Sequence, residues 1–448
     1  MTLKKIKIQK QYFFIFSLLN NFPVGPGELL YGEETKSISF DSGEILFKNK
    51  KINGLIQLSI LCPQNLKNPF LLIRNKDERS LAPNCFSCGF KSLQNSKINS
   101  CKHNIFDRAL NGTYCISEIN FALSLGYKIL KIFSCIIYED NEPILRNFLS
   151  VLGFEKLTSS NFEPNFDLDK MKNKMFFKKD LKPEMFKESK QKRNFIKLAL
   201  NSFLGKFSQR SDHIINKIVS SESEISKYFY SKTFEITSLF AINENFCQIQ
   251  LKRKRKTLIP PNLKGNCILG AHVVAFAREF MHKKMMDLEK IGAKIFYIDT
   301  DSLIFSLKKN QTIPFDFSPC FGDFKFEIPE SNQILNYFSL GPKNFAIQFE
   351  TENGVIKDLV KLRGVTLTNI TNKKIVDSNL YDFYLKQFLK NKKVNKAIPQ
   401  VRKRTSKYKK IKIQTFEKTF FTNSIKSKRI INKQCKHLSS FPFGYCED

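Results

Sequence analysis

Three stretches of the chain space their apolar residues with the period of an α-helix. One runs from about 191 to 207, with Phe195 and Leu200 on its predicted buried side. A second runs from about 268 to 290, and a shorter third one from about 117 to 125. A glycine closely follows the second and third stretches, as it often does where a helix ends. The spacing therefore predicts three amphipathic helices.

Other stretches have the length and apolar density of β-strands. Residues 128–138 form one such run. The run Tyr12–Leu19 lies behind four lysines and predicts a buried strand, because no small-residue cleavage site of a signal peptide follows it. Two short apolar runs, 294–298 and 303–307, flank Asp299-Thr300-Asp301-Ser302, which predicts a β-hairpin with carboxylates at its tip. Helices and strands in mixed order predict an α+β fold.

The composition is strongly basic, with 74 Lys and Arg against 41 Asp and Glu and a net charge of +33 over 448 residues. This excess predicts a polyanionic partner, and nucleic acid is the simplest one. Hydrophobic residues make up 42%, which excludes a disordered chain, and no stretch reaches the roughly 20 apolar residues of a membrane span. The 11 Cys are odd in number and scattered, which predicts a reducing, intracellular compartment rather than a disulfide framework.

The two carboxylates at the predicted hairpin tip are the first candidate site. Asp299 and Asp301 are two residues apart, so in an extended segment they share a face. Two close carboxylates repel each other unless a cation neutralises them. Hard oxygen ligands at an exposed tip suit Mg²⁺ or Mn²⁺, and Mg²⁺ commonly takes further oxygens from substrate phosphates. A solvated Asp-rich turn is the open alternative.

The predicted helix at 191–207 carries the second candidate site. Arg193, Lys197, Asn201 and Gly205 are four residues apart and line one side of the helix. A cationic stripe that ends in an amide and a glycine suits a triphosphate and allows close approach to a base pair. An ordinary solvated helix face has the same spacing, so this alternative stays open.

The segment Gly341-Pro342-Lys343-Asn344-Phe345 is the third candidate. In an extended chain, Lys343 and Phe345 share a strand face, which offers a phosphate contact beside an aromatic ring. Lys361 and Arg363 follow and add two further cations. A lysine near an aromatic residue is common, so this pattern alone is weak.

A group of soft ligands is the fourth candidate. Cys85-x-x-Cys88 precedes Cys101 and His103, and four such ligands fit a tetrahedral structural Zn²⁺. The C-x-H half is tighter than the usual spacing, and 11 Cys produce some pairs by chance. Zinc binding and four unrelated residues both remain open.

Three of these segments together resemble family B DNA polymerases. Residues 197–206 resemble the family's K-x-x-x-N-S-x-Y-G segment, Tyr297–Ser302 its D-T-D-S hairpin, and Gly341–Ala346 the K-x-Y segment of the protein-primed branch. They occur in the family's order. The resemblance is closest to the organellar and viral type, as in Maverick/Polinton mobile elements, and extends from about Phe22 to the last residue.

This resemblance implies a right-hand polymerase module with palm, fingers and thumb and an insertion subdomain. It implies DNA-directed DNA synthesis by two metal ions, with primer-template DNA, dNTPs and a terminal priming protein as partners. The implied regions are an amino-terminal palm remnant (1–48), an insertion with the Cys/His group (49–165), the fingers helix with a second insertion (166–265), the palm (266–365) and a basic thumb-like region (366–448).

The resemblance also implies a role for each candidate residue. Asp301 is the expected metal ligand, with the Asp299 carboxylate beside it. The expected nucleotide-binding residues are Arg193, Lys197, Asn201 and Gly205, and the expected primer or DNA contacts are Lys343, Phe345, Lys361 and Arg363.

The chain departs from the family at several positions. Leu204 replaces an aromatic residue, Phe345 replaces Tyr, and Phe14 stands where the D-x-x-S-L-Y-P motif has its catalytic Asp. The amino-terminal exonuclease has no counterpart in these 448 residues. A missing metal ligand predicts a truncated or degenerate polymerase with nucleotidyl transfer slowed by about 10²–10³ or more.

Two other functions remain open. One is a non-catalytic, DNA-binding remnant, and the other is a basic zinc-binding protein that binds nucleic acid. The basic clusters 252–256 and 402–410 permit nuclear import, and the resemblance fits a viral or organellar replication site equally well.

Overall fold

The structure of the protein is a computed structural model. It describes residues 6–10, 17–76, 80–91, 101–163, 167–208, 214–254, 266–308, 311–318, 320–329, 331–341, 343–361, 398–405, 411–418, 428–431 and 438–446.

The three helices predicted from apolar spacing are confirmed within one residue at each end. In chain order the described helices are α1 (Phe86–Phe90), α2 (Ile105–Arg108), α3 (Ile116–Ser124), α4 (Arg146–Thr158), α5 (Leu168–Met175), α6 (Lys190–Phe207), α7 (Glu222–Phe229) and α8 (Cys267–Lys290), with 3₁₀ turns at Gly32–Ser37 and Pro183–Met185. No helix in these described ranges is both long enough and apolar enough to cross a bilayer.

The β part of the predicted α+β fold consists of 25 described strands. In chain order they are β1 (Ile6–Lys10), β2 (Phe22–Val24), β3 (Glu28–Tyr31), β4 (Ile38–Asp41), β5 (Glu44–Phe47), β6 (Lys50–Lys51), β7 (Asn53–Leu61), β8 (Ile73–Arg74), β9 (Ser80–Leu81), β10 (Leu110–Cys115), β11 (Lys128–Tyr138), β12 (Asp140–Glu142), β13 (Ile215–Val219), β14 (Phe234–Asn243), β15 (Phe246–Arg253), β16 (Lys294–Asp299), β17 (Ser302–Ser306), β18 (Lys325–Phe326), β19 (Gln333–Gly341), β20 (Asn344–Glu350), β21 (Ile356–Lys361), β22 (Ile398–Thr405), β23 (Ile411–Lys418), β24 (Lys428–Ile431) and β25 (Leu438–Phe441).

A four-stranded antiparallel sheet, named here the hairpin sheet, contains the predicted hairpin. Its strand order is β16-β17-β1-β18. In the register, Lys10 of β1 lies opposite Ser302 of β17 and also opposite Lys325 of β18. Helix α8 packs on this sheet, with Met281 and Leu288 against the buried Phe305. The helical stripe predicted from sequence therefore covers the sheet that carries the acidic hairpin.

A second sheet of order β10-β7-β11-β3 forms the centre of the 49–165 region. Alternate residues of β7 are buried, and Ile56, Leu58 and Ile60 are fully enclosed. Gly54 has a φ of 136°, and a Cβ at this position would overlap the backbone oxygen of Ile136. Only glycine therefore allows β11 to approach β7 this closely.

Helix α8 also joins this second sheet to the hairpin sheet through buried polar contacts. Arg278 forms an ion pair with Glu118 of α3, whose side chain is almost fully buried. Burial raises the pKa of Glu118, and Arg278 opposes that shift. His282 Nε2 donates to the backbone oxygen of Asn68 at 2.8 Å. A buried ion pair is costly to break, so these contacts fix the orientation of the two sheets.

The predicted strand Tyr12–Leu19 is wrong where the structure describes it. Residues 17–20 form a turn rather than a strand, and the strand of this region is β1, which ends at Lys10. Leu18 and Leu19 are buried, so the apolar pattern identified core residues but not their backbone conformation. Residues 11–16 lie outside the described part of the chain.

Candidate active site

The acidic hairpin tip is a very tight turn. Asp299 ends β16 and pairs with Ser302, the first residue of β17. Thr300 has a φ of 48°, which costs a non-glycine residue about 1–2 kcal/mol, and the amide of Asp301 donates to the backbone oxygen of Asp299 at 2.5 Å. The hairpin prediction is confirmed. The argument that strand alternation places both carboxylates on one face does not apply, because Asp301 lies in the turn.

Lys343 connects the third candidate segment to this tip. Its ammonium nitrogen lies 2.7 and 2.8 Å from the two carboxylate oxygens of Asp299. Its backbone amide donates to the hydroxyl of Tyr297 at 2.7 Å. Lys343 has a φ of 59° in the turn between β19 and β20. Two segments 44 residues apart are therefore held together by a bidentate ion pair and a hydrogen bond.

Phe345 has a different environment from the one expected. It does not share an extended face with Lys343, because Lys343 lies in the turn and Phe345 lies inside β20. The ring is 9% exposed and its centroid lies 5.2 Å from that of Tyr297. Phe345 therefore packs against Tyr297, the residue whose hydroxyl accepts the hydrogen bond from the Lys343 amide. Lys361 lies opposite Phe345 in the sheet and pairs with Glu327 at 3.3 Å, and Arg363 is outside the described residues.

Helix α6 presents the predicted cationic stripe. Arg193 and Lys197 are half-buried, and Asn201 and Gly205 are exposed. A Cβ at Gly205 would have no neighbour within 4 Å. Glycine costs about 1 kcal/mol inside a helix, and the packing of the protein does not explain it here.

The buried side of α6 differs in part from the prediction. Phe195 is 72% exposed, whereas Ile196, Leu200 and Phe203 pack in the core that α6 shares with α4 and α8. The sequence of α6 contains two possible apolar stripes, one that includes Phe195 and one that includes Ile196. The stripe with Ile196, Leu200 and Phe203 is the longer one, because it continues through Phe207.

Lys156 of α4 is a functional candidate that the sequence reasoning missed. Its side chain is 5% exposed, and its ammonium lies 4.7 Å from the centroid of the Phe321 ring. Burial, together with the charges of Arg193 and Lys197, lowers the pKa of Lys156 to about 7. A lysine within the apolar-rich stretch 145–157 was the available signal, in a region where no helix was predicted.

The strand register gives the distance between one further cation, Lys325, and the acidic tip. Lys325, whose charge also acts on Lys156, lies opposite Lys10, and Lys10 lies opposite Ser302. Neighbouring strands are about 4.8 Å apart, so Lys325 lies roughly 10 Å across the hairpin sheet from Ser302. The register therefore puts Lys325, one of the charges that act on Lys156, at the same end of the hairpin sheet as the acidic turn.

Replacing Lys156 by Met should stabilise the protein most strongly at low pH. The folded-state pKa is near 7 and the ordinary value is 10.5, so the unfolded chain binds more protons between these values and wild-type stability rises with pH across this window. Below about pH 7 the cost of the buried charge is fully present. Urea unfolding at pH 6 should show a gain on the order of 1–4 kcal/mol that shrinks by pH 9.5. A variant that is less stable than wild type at pH 6 would contradict this account.

The Cys/His group also comes together in space. The ligand atoms of Cys85, Cys88, Cys101 and His103 all lie within 4.8 Å of one another. The three sulfurs are 3.4–3.6 Å from Nδ1 of His103, which is close to the about 3.6 Å expected between sulfur and nitrogen around tetrahedral zinc. Cys85 caps helix α1 and Cys88 lies one turn later, so the helix turn brings these two sulfurs to one side.

The thiols of this group influence one another. Hydrogen bonds from Cys85 and Cys88 lower the pKa of Cys101, and the hydrogen bonds with Cys101 raise the pKa of both partners. Three sulfurs this close cannot all be anionic unless a cation neutralises them. The donor set, three thiolates and one imidazole, suits a soft or borderline divalent ion.

Comparison with known proteins gives a similarity of fold. No protein-family model matches the sequence, and no curated protein matches it. Among solved structures, the chain is similar to Phi29 DNA polymerase complexed with primer-template DNA in a post-translocation binary complex, with a TM-score of 0.51 and 13% identity. The similarity covers 93% of this chain and 58% of that chain, so this chain spans little more than half the length of that polymerase. The protein therefore has a mixed α and β fold with a DNA polymerase as a structural neighbour.

Proposed function

We propose that the protein is a DNA-directed DNA polymerase module of the protein-primed family B type, with slow nucleotidyl transfer. One observation carries the proposal: the Lys343 ammonium and the Asp299 carboxylate form a bidentate ion pair at the acidic turn, at the end of the hairpin sheet that also carries Lys325. The fold similarity to a polymerase complexed with primer-template DNA supports it. In this proposal the hairpin sheet and α8 form the palm, α6 belongs to the fingers, and residues 366–448 form the thumb.

The acidic turn is the proposed Mg²⁺ site. Asp299 is paired with Lys343 and acts as a positioning residue, and Asp301 is the ligand by its resemblance to the family's hairpin. Carboxylate oxygen suits Mg²⁺, which when bound stabilises charge on the attacking and leaving oxygens of a phosphoryl transfer. The Lys343 ammonium restrains Asp299, and the tight turn fixes the backbone of Asp301.

Helix α6 is the proposed site of the incoming nucleotide. Arg193 and Lys197 supply charge for a triphosphate, and they are close enough to the buried Lys156 for their charges to lower its pKa. Asn201 and Gly205 are exposed further along the same side. The open space at Gly205 suits a base pair that approaches the helix backbone.

Primer and duplex contacts follow from the remaining cations. Lys343, which pairs with Asp299 at the acidic tip, is one proposed contact for phosphates of the primer end. Lys361 of the neighbouring β21, which pairs with Glu327, is the other. Phe345 supports Tyr297 rather than contacting DNA. We assign the priming protein, by the resemblance, to the 49–165 region, and Zn²⁺ to its Cys/His group.

The proposed protein differs from an efficient polymerase in its slow nucleotidyl transfer. Phe14 stands where the resemblance places a second metal-binding Asp, and two-metal transfer needs carboxylates from separate strands. This departure also favours the second candidate, a non-catalytic DNA-binding remnant. Primer extension by the purified protein with Mg²⁺ and dNTPs separates the two, because a remnant retains salt-dependent DNA binding and adds no nucleotide.

A further inference from the structure

The Cys/His group lies against a segment that is distant in sequence, residues 442–446. Phe443 is 1% exposed and packs in one apolar cluster with Leu81, Cys85 and Cys88. The backbone oxygen of Phe443 accepts a hydrogen bond from the amide of Asn84 at 2.9 Å. The residue before the first cysteine ligand therefore holds this segment through its backbone.

Gly444 makes the closest approach to the ligand group. It has a φ of 83°, and a Cβ at this position would overlap the Cβ of Cys85 and lie 2.9 Å from its backbone nitrogen. Both the left-handed backbone and the lack of space require glycine. The position of segment 442–446 thus depends on the position of Cys85, which a bound metal would fix.

Further contacts complete the docking of this segment. The amide of Cys446 donates to the backbone oxygen of Gln64 at 3.0 Å. Tyr445 is buried, and its ring stacks on Phe441 with centroids 5.0 Å apart. The side-chain amide nitrogen Nδ2 of Asn84 donates to the backbone oxygens of Pro63 and Leu66 at 2.7 and 2.9 Å. Segment 442–446 and the metal-binding loop therefore share one small core.

The region between β21 and this segment is the most basic part of the chain. Residues 362–437 contain 21 Lys and Arg against three Asp and Glu. At one side of the region, β21 is paired with β20, and at the other side segment 442–446 is docked at the Cys/His group. In sequence, the basic region therefore lies between two described anchors, β21 and segment 442–446.

We infer that Zn²⁺ at Cys85, Cys88, Cys101 and His103 acts as a clasp that holds segment 442–446 in place. Without zinc, the loop that contains Cys85 loses the constraint that shapes the Gly444 contact, and the segment is released. The basic region then loses its anchor at segment 442–446. The clasp itself does not depend on polymerase activity, and only its effect on DNA retention rests on the proposed function.

Amide hydrogen exchange of the full-length protein tests the clasp without DNA or nucleotide. The wild type should bind one Zn²⁺ per chain, and chelation should make peptides that cover 442–446 exchange about tenfold faster or more, with recovery on re-adding Zn²⁺. Peptides of β11 report in the same experiment whether the protein stays folded. A wild type that binds no zinc, or a zinc-free protein with unchanged protection at 442–446, would overturn the inference.

Three variants distinguish the loss of zinc binding from the loss of docking of segment 442–446. Cys88→Ser should lose both zinc and protection at 442–446, whereas Gly444→Ala should keep zinc and lose the same protection. Cys247→Ser is the matched control, because Cys247 lies in β15 and outside the ligand group, and it should keep both. Full protection in Gly444→Ala would refute the docking geometry, even if Cys88→Ser fails to fold.

The consequence for DNA is a separate measurement. Gly444→Ala should dissociate from primer-template DNA several-fold faster than wild type in the presence of competitor DNA, because the basic region has lost its anchor at segment 442–446. Equal dissociation rates would contradict a role of the clasp in DNA retention. A protein that binds no DNA at all would refute the proposed function, while the exchange experiment would still decide the clasp.

Discussion

Asp301→Ala should reduce Mg²⁺-dependent primer extension by about 10²–10³ or more, the size expected when a main electrostatic stabiliser of a transition state is removed. We assign Asp301 to the metal by its resemblance to the family's hairpin, and Asp299 is paired with Lys343. Single-turnover extension of a labelled primer measures the effect. Since the wild-type rate is itself expected to be low, long reaction times and high protein concentration are needed.

A matched control uses a carboxylate outside the site. Asp287 lies on α8 and pairs with Lys284 and Lys290 on the protein surface. Asp287→Ala should extend primers at the wild-type rate. Equal activity of Asp301→Ala and wild type would show that the acidic turn does not support the chemistry.

Phe14→Asp should have an effect of similar size in the opposite direction, a gain of about 10²–10³ in the extension rate. Strand β1 ends at Lys10, opposite Ser302 at the start of β17, so the last residue of β1 lies next to the acidic turn. The resemblance places the second metal-binding Asp four residues further along the sequence. A carboxylate at position 14 should therefore restore the ligand that this sequence lacks.

The neighbouring residue supplies the control for this gain. Phe13→Asp introduces the same charge one position earlier and should leave the rate unchanged. The double variant Phe14→Asp with Asp301→Ala should fall back to the level of Asp301→Ala, because the two carboxylates act on shared ions. An equal gain in both single Phe variants would point to a general charge effect and refute the assignment.

Local patterns predicted the elements that carry the site. The bounds of α6 and of the 294–306 hairpin follow from apolar spacing and from a short polar turn, which are properties of neighbouring residues. Strand β11 was predicted with its observed bounds, Lys128–Tyr138. The grouping of the Cys/His residues was one of two alternatives left open, since C-x-x-C and C-x-H each bring two ligands together within a short segment. The structure brings all four together.

Contacts between distant segments could not be predicted in the same way. The ion pair between Lys343 and Asp299 depends on how two hairpins pack, and single-sequence patterns do not determine this packing. The burial of Lys156 and the docking of Phe443 likewise arise from tertiary structure. For Phe195, the sequence contained two competing stripes, and packing against α4 and α8 selected the other one.

The central claim is that the acidic turn and the cationic side of α6 bind one Mg²⁺-dNTP beside a primer end. The most direct test is the dissociation rate of primer-template DNA from the protein with Mg²⁺ and either the correct or an incorrect dNTP. We expect the correct dNTP to slow dissociation, and Lys197→Ala to abolish this effect. Lys192→Ala, which removes a cation of the same helix that pairs with Glu155, should preserve the effect. Dissociation that is independent of the dNTP, or equally dNTP-dependent in Lys197→Ala, would contradict the account.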